Sequence, residues 1–159
     1  MTAKEYNESV DLYADGLYRF ALRLINQQVL AEDLVQETFT RLWEKRKTVA
    51  APSVRSYLFT TLYNAAIDLI RTQRQQVDVS EVQTSVYTQP TFDVQEQLNK
   101  GLALLPEIQR TALLLRDYEG YSYSEIGEIA NLSESQVKVY IYRARQFLRK
   151  YLGGIEELI

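Results

Sequence analysis

Lys138, Tyr142, Arg145 and Arg149 recur at helical spacing near the end of this 159-residue chain. Cations and a phenol on one helix face can neutralise phosphates and meet base edges. A second face of the same stretch, carrying Val137, Ile141, Ala144 and Leu148, is apolar and must turn inward. Ser133-Glu134-Ser135-Gln136 opens this stretch, and Ser122-Tyr123-Ser124-Glu125 opens a shorter one before it. Each fits a capping box, in which a Ser hydroxyl accepts from the backbone N–H three residues on and a Glu or Gln reaches back. Ile126, Ile129 and Ala130 give the shorter stretch its apolar face, and Asn131-Leu132 turns the chain between the two. A short helix, a tight turn and a longer helix with basic and aromatic residues outward is a helix-turn-helix pattern. A plain helical hairpin with solvated charges fits the same spacing.

Little else in the chain could do chemistry. Cys and His are both absent, which removes thiol and imidazole nucleophiles, disulfides and nearly every transition-metal site. There is no glycine-rich loop of the kind that cradles a phosphate. No acidic pair stands out from the helical surface pattern, so the sequence points away from an enzyme and implies no cofactor and no metal.

Composition sets the frame for these residues. Apolar residues at 46% suffice for a packed core, and the length suits one ordinary domain or two small ones. No apolar run approaches the roughly 18 residues of a membrane span, and Met1-Thr2-Ala3-Lys4-Glu5 is unlike a signal peptide. A cytoplasmic protein without membrane insertion is expected. The net charge of −3 and pI near 5.1 are awkward for a protein that binds DNA unaided, because phosphate neutralisation supplies much of the affinity for a duplex. The surplus acid lies in the middle, where Asp78, Glu81, Asp93 and Glu96 meet no Lys or Arg between Gln75 and Asn99. Affinity for nucleic acid must come from local patches or from a partner.

The elements that would position the basic face are all helical. Residues 4–26 read as one helix with Val10, Leu12, Leu17, Phe20, Ala21 and Leu24 inward. A second runs from about Leu30 to Lys47 on a stripe of Leu34, Thr38, Phe39, Leu42 and Trp43, and Lys45-Arg46-Lys47 complements its dipole. Pro52 and Ser53 open a third, lasting to about Arg74, with Val54, Leu58, Leu62, Ala65 and Leu69 inward. The period is lost from Gln75 to Phe92 and resumes near Val94 with Leu98, Leu102 and Leu105. Pro106 opens a further helix with Ile108, Ala112 and Leu115 inward, which Gly120 stops. The expected fold is all-α, with a lobe over 1–74, a flexible linker over 75–93 and a helix-turn-helix lobe over 94–159.

Two blocks of residues together resemble one family. The first is Ala31-Glu32-Asp33-Leu34-Val35-Gln36-Glu37-Thr38-Phe39 followed by Leu42-Trp43. The second runs from Leu105-Pro106-Glu107 through Leu113-Leu114-Leu115-Arg116, Gly120-Tyr121-Ser122-Tyr123 and Glu125-Ile126 to Val137-Lys138 and Arg143-Ala144-Arg145. A weaker third is Tyr57-Leu58-Phe59 with Asn64, Asp68 and Arg71. In order, length and linker the chain resembles the extracytoplasmic-function (ECF) subgroup of bacterial sigma-70-type RNA polymerase sigma factors.

That resemblance implies partners and site residues. The first lobe would bind the clamp of core RNA polymerase and melt the −10 element of promoter DNA, the second would read the −35 element, and the polymerase surfaces met would be the β′ clamp and the β flap. The clamp-binding positions match at Asp33, Gln36 and Glu37, whose spacing places them away from the Leu34, Thr38 and Leu42 stripe. The −10 positions match at Arg55, Tyr57, Asn64, Asp68, Arg71 and Arg74, with Asn64 where the family has a base-contacting Asn and Tyr57 where Trp is common. The −35 positions match at Ser133, Ser135, Gln136, Lys138, Tyr142, Arg143 and Arg145. Gln136 replaces a common Thr and could read adenine in a bidentate manner. Val139, Tyr140 and Tyr142 depart from the family's usual hydroxyl, Arg and His. An anti-sigma protein is implied by resemblance alone. Two other readings stay open at this point: a dimeric helix-turn-helix regulator, and a helical adaptor that binds polymerase without reading DNA.

Overall fold

The protein is described by a computed structural model covering residues 1–77 and 93–156. Its described residues form helices and no strands. Helix α1 (Ala3–Ile25) starts at Thr2, whose hydroxyl accepts from the Glu5 backbone while the Glu5 carboxylate accepts from the Thr2 N–H. This capping box satisfies two of the orphan donors at the helix start. Asn26 ends α1 in the left-handed conformation at φ 60°. Helix α2 (Gln28–Glu44) doubles back, and a 3₁₀ turn at Ala51–Ser53, carrying Pro52, leads into α3 (Val54–Val77). Leu17, Phe20, Leu24, Leu42, Leu58 and Leu62 form the core of this first lobe.

The second lobe comprises α4 (Val94–Leu104), α5 (Glu107–Leu113), α6 (Tyr123–Ala130) and α7 (Glu134–Glu156). Asp93, in extended conformation, caps α4, which begins at Val94 where the helical pattern was expected to resume, while α3 extends three residues past Arg74. The rest of the expected linker, 78–92, lies outside the described residues. Val137, Ile141, Ala144 and Leu148 are all buried, as their spacing requires. Between α5 and α6 the helix widens into a π-helical turn, Leu114–Tyr118. One extra residue per turn rotates everything after it. Asp117 thereby reaches Arg145 on α7, and Glu119 reaches Arg19 on α1. Gly120 then reverses the chain at φ 74°, a conformation that costs a side-chain-bearing residue about 1 kcal/mol or more.

The expected pair of lobes is present, but they share a seam that local patterns do not announce. Tyr121 is fully buried and meets Phe59 of α3 edge-on, with ring centroids 5.3 Å apart. Buried side chains of both lobes thus form one continuous core. Two inward expectations are corrected. Leu12 is 71% exposed, because it lies off the Leu17 and Leu24 stripe and borders a groove against the loop before α3. Trp43 is at the rim, 39% exposed, with Arg46 stacked 4.0 Å over its ring and Tyr6 against its edge.

The turn of the helix-turn-helix depends on a close backbone approach. A methyl group at Gly127 would lie 2.5 Å from the Leu132 carbonyl oxygen, while the Leu132 N–H donates to the Gly127 carbonyl at 2.8 Å. Because the obstacle is backbone, Gly127→Ala should destabilise the protein by about 1–3 kcal/mol, the usual cost of overpacking. Thermal unfolding followed by circular dichroism checks this. An unchanged midpoint would show that the turn can give way freely.

Candidate nucleic-acid interface

The first surface lies between α2 and α3. Asp33 and Glu37 from α2 and Asp68 from α3 line a groove of about 360 Å³, floored by Leu34 and Leu69. Gln36 is exposed on α2 beside it. Glu37 pairs with Arg41 one turn on, at 2.7 Å, but both side chains are about half exposed. Pairs of this kind contribute roughly 0–1 kcal/mol and yield readily to a partner. Asp68 was expected to face DNA with Asn64, yet it shares the acidic groove with Asp33 and Glu37. The groove can accept a cationic helix or loop.

The second surface follows α3. Asn64, Arg71 and Arg74 are exposed, and Tyr57, one face-repeat before Asn64, is half-buried. Asn64 presents an amide donor and acceptor with nothing packed over them, as capture of an unstacked base requires. Arg55 differs. Its guanidinium stacks 4.1 Å over the Tyr121 ring and donates to the Glu119 carbonyl, so in this arrangement it is engaged with the second lobe.

The third surface is the outward face of α7. Ser133 and Gln136 cap it reciprocally: the Gln136 N–H donates to Ser133 Oγ at 3.2 Å, and the Ser133 N–H donates to Gln136 Oε1 at 2.9 Å. Gln136 Oε1 is one of the two atoms a bidentate adenine contact needs. The cap therefore competes with the base-reading role expected of Gln136. Arg145 forks onto Asp117 at 2.6 and 3.3 Å, which raises its pKa and holds it as a structural cation. Lys138 lies 5.7 Å over Tyr123, and Tyr142, 61% exposed, accepts from Gln146. Ser135 and Arg143 project outward, and Arg143 makes no ion pair among the described residues. The Ser122–Glu125 box holds as well, and bonds from Ser122 depress the Glu125 pKa.

Residues 10–76 match the family model for sigma-70 region 2, and residues 95–148 match that for sigma-70 region 4. SigM of Bacillus subtilis, an ECF RNA polymerase sigma factor, is 32% identical over 95% of this chain and 98% of its own. The chain belongs to the ECF RNA polymerase sigma factors. SigL of Mycobacterium tuberculosis, another ECF sigma factor, is 33% identical over 87% of this sigma factor and 84% of its own length. Among solved structures, the sigma factor RpoE of Bartonella quintana, held by the anti-sigma factor NepR, superposes with a TM-score of 0.80. It is 28% identical and covers 95% of this sigma factor and 98% of its own chain. As a member of that family the protein is an RNA polymerase-binding, promoter-recognising factor of transcription initiation.

Three features of this sigma factor escape a reading of its sequence. Arg19 and Glu119 look like ordinary surface charges, yet they join the lobes across a hundred residues. Arg110, placed only as part of a helix, donates to the Leu24 carbonyl at the end of α1, and burial lowers its pKa. Arg46 covers Trp43 and donates to its carbonyl at 2.8 Å, fixing the basic loop before α3. Only the last had a local signal, in the adjacency of Trp43 to the Lys45-Arg46-Lys47 cluster.

Proposed function

We propose that the first lobe docks on core RNA polymerase through Asp33, Gln36 and Glu37. The α3 face with Asn64, Arg71 and Arg74 then holds the melted −10 strand, and Ser135, Lys138 and Arg143 on α7 meet the −35 duplex. The observation that carries this division is an exposed acidic groove and two exposed polar faces on separate elements. An acidic groove repels DNA and suits a basic protein surface, whereas Asn64, Arg71 and Arg143 suit nucleic acid. The overall charge of −3 favours DNA binding that polymerase assists over binding alone. The factor would act in the cytoplasm without catalytic residues of its own. The likeness to RpoE bound to NepR supports a separate anti-sigma protein as its regulator.

Gel shift with promoter DNA, with and without core polymerase, tests the reading. Expected are no shift by the protein alone, a shift with core enzyme, and promoter-dependent transcripts in a single-round assay. A shift by the protein alone would point to a conventional operator-binding regulator. Binding to polymerase without any promoter shift would point to an adaptor that does not read DNA.

A further inference from the structure

We infer that Val139 reads thymine: its methyl groups meet the 5-methyl group of a thymine in the −35 duplex and set the base preferred at that position. The inference rests on the placement of α7 on the −35 element proposed above. Val139 is a β-branched apolar residue, 43% exposed on an otherwise polar face. It lies two residues from Val137 and two from Ile141, both of them buried. With about 3.6 residues per turn, that position is nearly opposite the buried stripe. Ser135, one turn before, is exposed on the same line. The line of α7 that projects farthest from the lobe therefore carries two short side chains, one of them apolar.

The longer polar side chains stand to either side of this line. On one side Tyr123, Lys138, Tyr142, Arg145 and Arg149 line a notch of about 410 Å³. Lys138 lies 5.7 Å over the Tyr123 ring and Arg145 forks onto Asp117, so both are held back from the outward line. Gln146 donates to the Tyr142 hydroxyl oxygen at 2.7 Å, which leaves the phenol proton to donate in turn. On the other side Arg143 projects outward one turn after Val139. A helix seated in the major groove has a phosphate strand along each side and base edges beneath it. Cations on both sides with Ser135 and Val139 between them match that arrangement, and the short pair lets the helix approach the groove floor. Gln136, the amide at the start of α7, has its oxygen engaged in the cap. Of the four bases only thymine offers a methyl group in the major groove, so an apolar side chain at this point favours thymine. A lone exposed valine is ordinary in itself; its place between two cationic flanks is what points to a base.

The test uses holoenzyme assembled from core polymerase and the full chain. Selection from a promoter library randomised through the −35 region gives the preferred sequence. Each thymine in it is then replaced singly by deoxyuridine, which keeps the hydrogen-bonding edge and lacks the methyl group. Wild type should select a thymine at one position and lose about fourfold in affinity when that thymine alone becomes deoxyuridine, the value of one buried methyl group. Val139→Ser exchanges both methyl groups for a hydroxyl, and circular dichroism confirms that the variant is folded. It should bind the thymine and deoxyuridine duplexes alike and no longer select thymine there. Absence of a selected thymine, or a deoxyuridine loss that is the same in Val139→Ser, overturns thymine reading by Val139. Lys138→Ala with Arg143→Ala should weaken binding to every −35 sequence in the library. Full binding by that double variant would overturn the placement of α7 on the −35 duplex itself, whereas weakened binding with no methyl effect that depends on Val139 would overturn the thymine contact alone.

Discussion

Reversing the charge at both Asp33 and Glu37 is expected to abolish co-purification with core RNA polymerase while leaving the helical signal unchanged. Both carboxylates are exposed on one face of α2 and line the same groove. The groove is floored by Leu34 and Leu69, so a partner seated there would shield the charges from solvent. Like charges forced together at such an interface cost several kcal/mol, and about 3 kcal/mol is roughly a hundredfold in affinity. Folding should not suffer, because among the described residues the only ion pair lost is the half-exposed Glu37–Arg41 pair. Asp68→Lys, on the opposite wall, should weaken binding in the same direction. Pull-down with core enzyme and circular dichroism are the two measurements. A folded double variant that still binds normally removes α2 as the docking surface.

Asn64→Ala is expected to lose open complexes on duplex promoter and recover them on a template mismatched through the −10 region. Extruding a base costs a few kcal/mol of unstacking and unpairing, which an enclosing polar site must offset. A bubble template removes most of that cost before the protein arrives. The contrast is Arg143→Ala on α7, whose side chain projects outward with no ion pair among the described residues. Loss of one such contact should weaken initial promoter binding by about 1–3 kcal/mol, and the bubble should not repair it. Arg143 is a better probe than Gln136, because truncating Gln136 also removes part of the cap on α7. Permanganate footprinting and polymerase recruitment on matched and bubble templates separate the two effects. If both variants respond alike to the bubble, the division of labour between the lobes is wrong.

What could be read from the residues in order was whatever is local. Val137, Ile141, Ala144 and Leu148 face inward because a helix with one buried side imposes a 3.6-residue period. Both Ser capping boxes hold because their partners are three residues apart. A third, Thr2 with Glu5, was equally readable and was not expected. Leu12 shows where residue type misleads: it is apolar but lies off the helix's inward stripe. The lobe seam was illegible for a different reason. Arg19, Arg23 and Arg110 carry no local signal and Arg55 was expected at the −10 DNA, and the groups that hold them lie in the other lobe or at a helix end. The π-helical turn that aims Glu119 differs from an α-turn by a single residue and leaves no period to detect. Gln136 carried two expectations at once, cap and base reader, and the geometry engages its oxygen in the cap.

The Arg46–Trp43–Tyr6 stack has a practical consequence for following this molecule in solution. Trp43 is the only tryptophan in the chain, and it sits at the end of α2, flanked by Arg46 and by Tyr6 of α1. Its emission therefore reports on the packing of the first lobe beside the basic loop, whereas far-ultraviolet dichroism averages over helices of both lobes. Superimposable denaturation curves from the two signals would mean that the lobes melt as one cooperative unit. Separated curves would identify which lobe yields first, from a fluorophore the protein already carries.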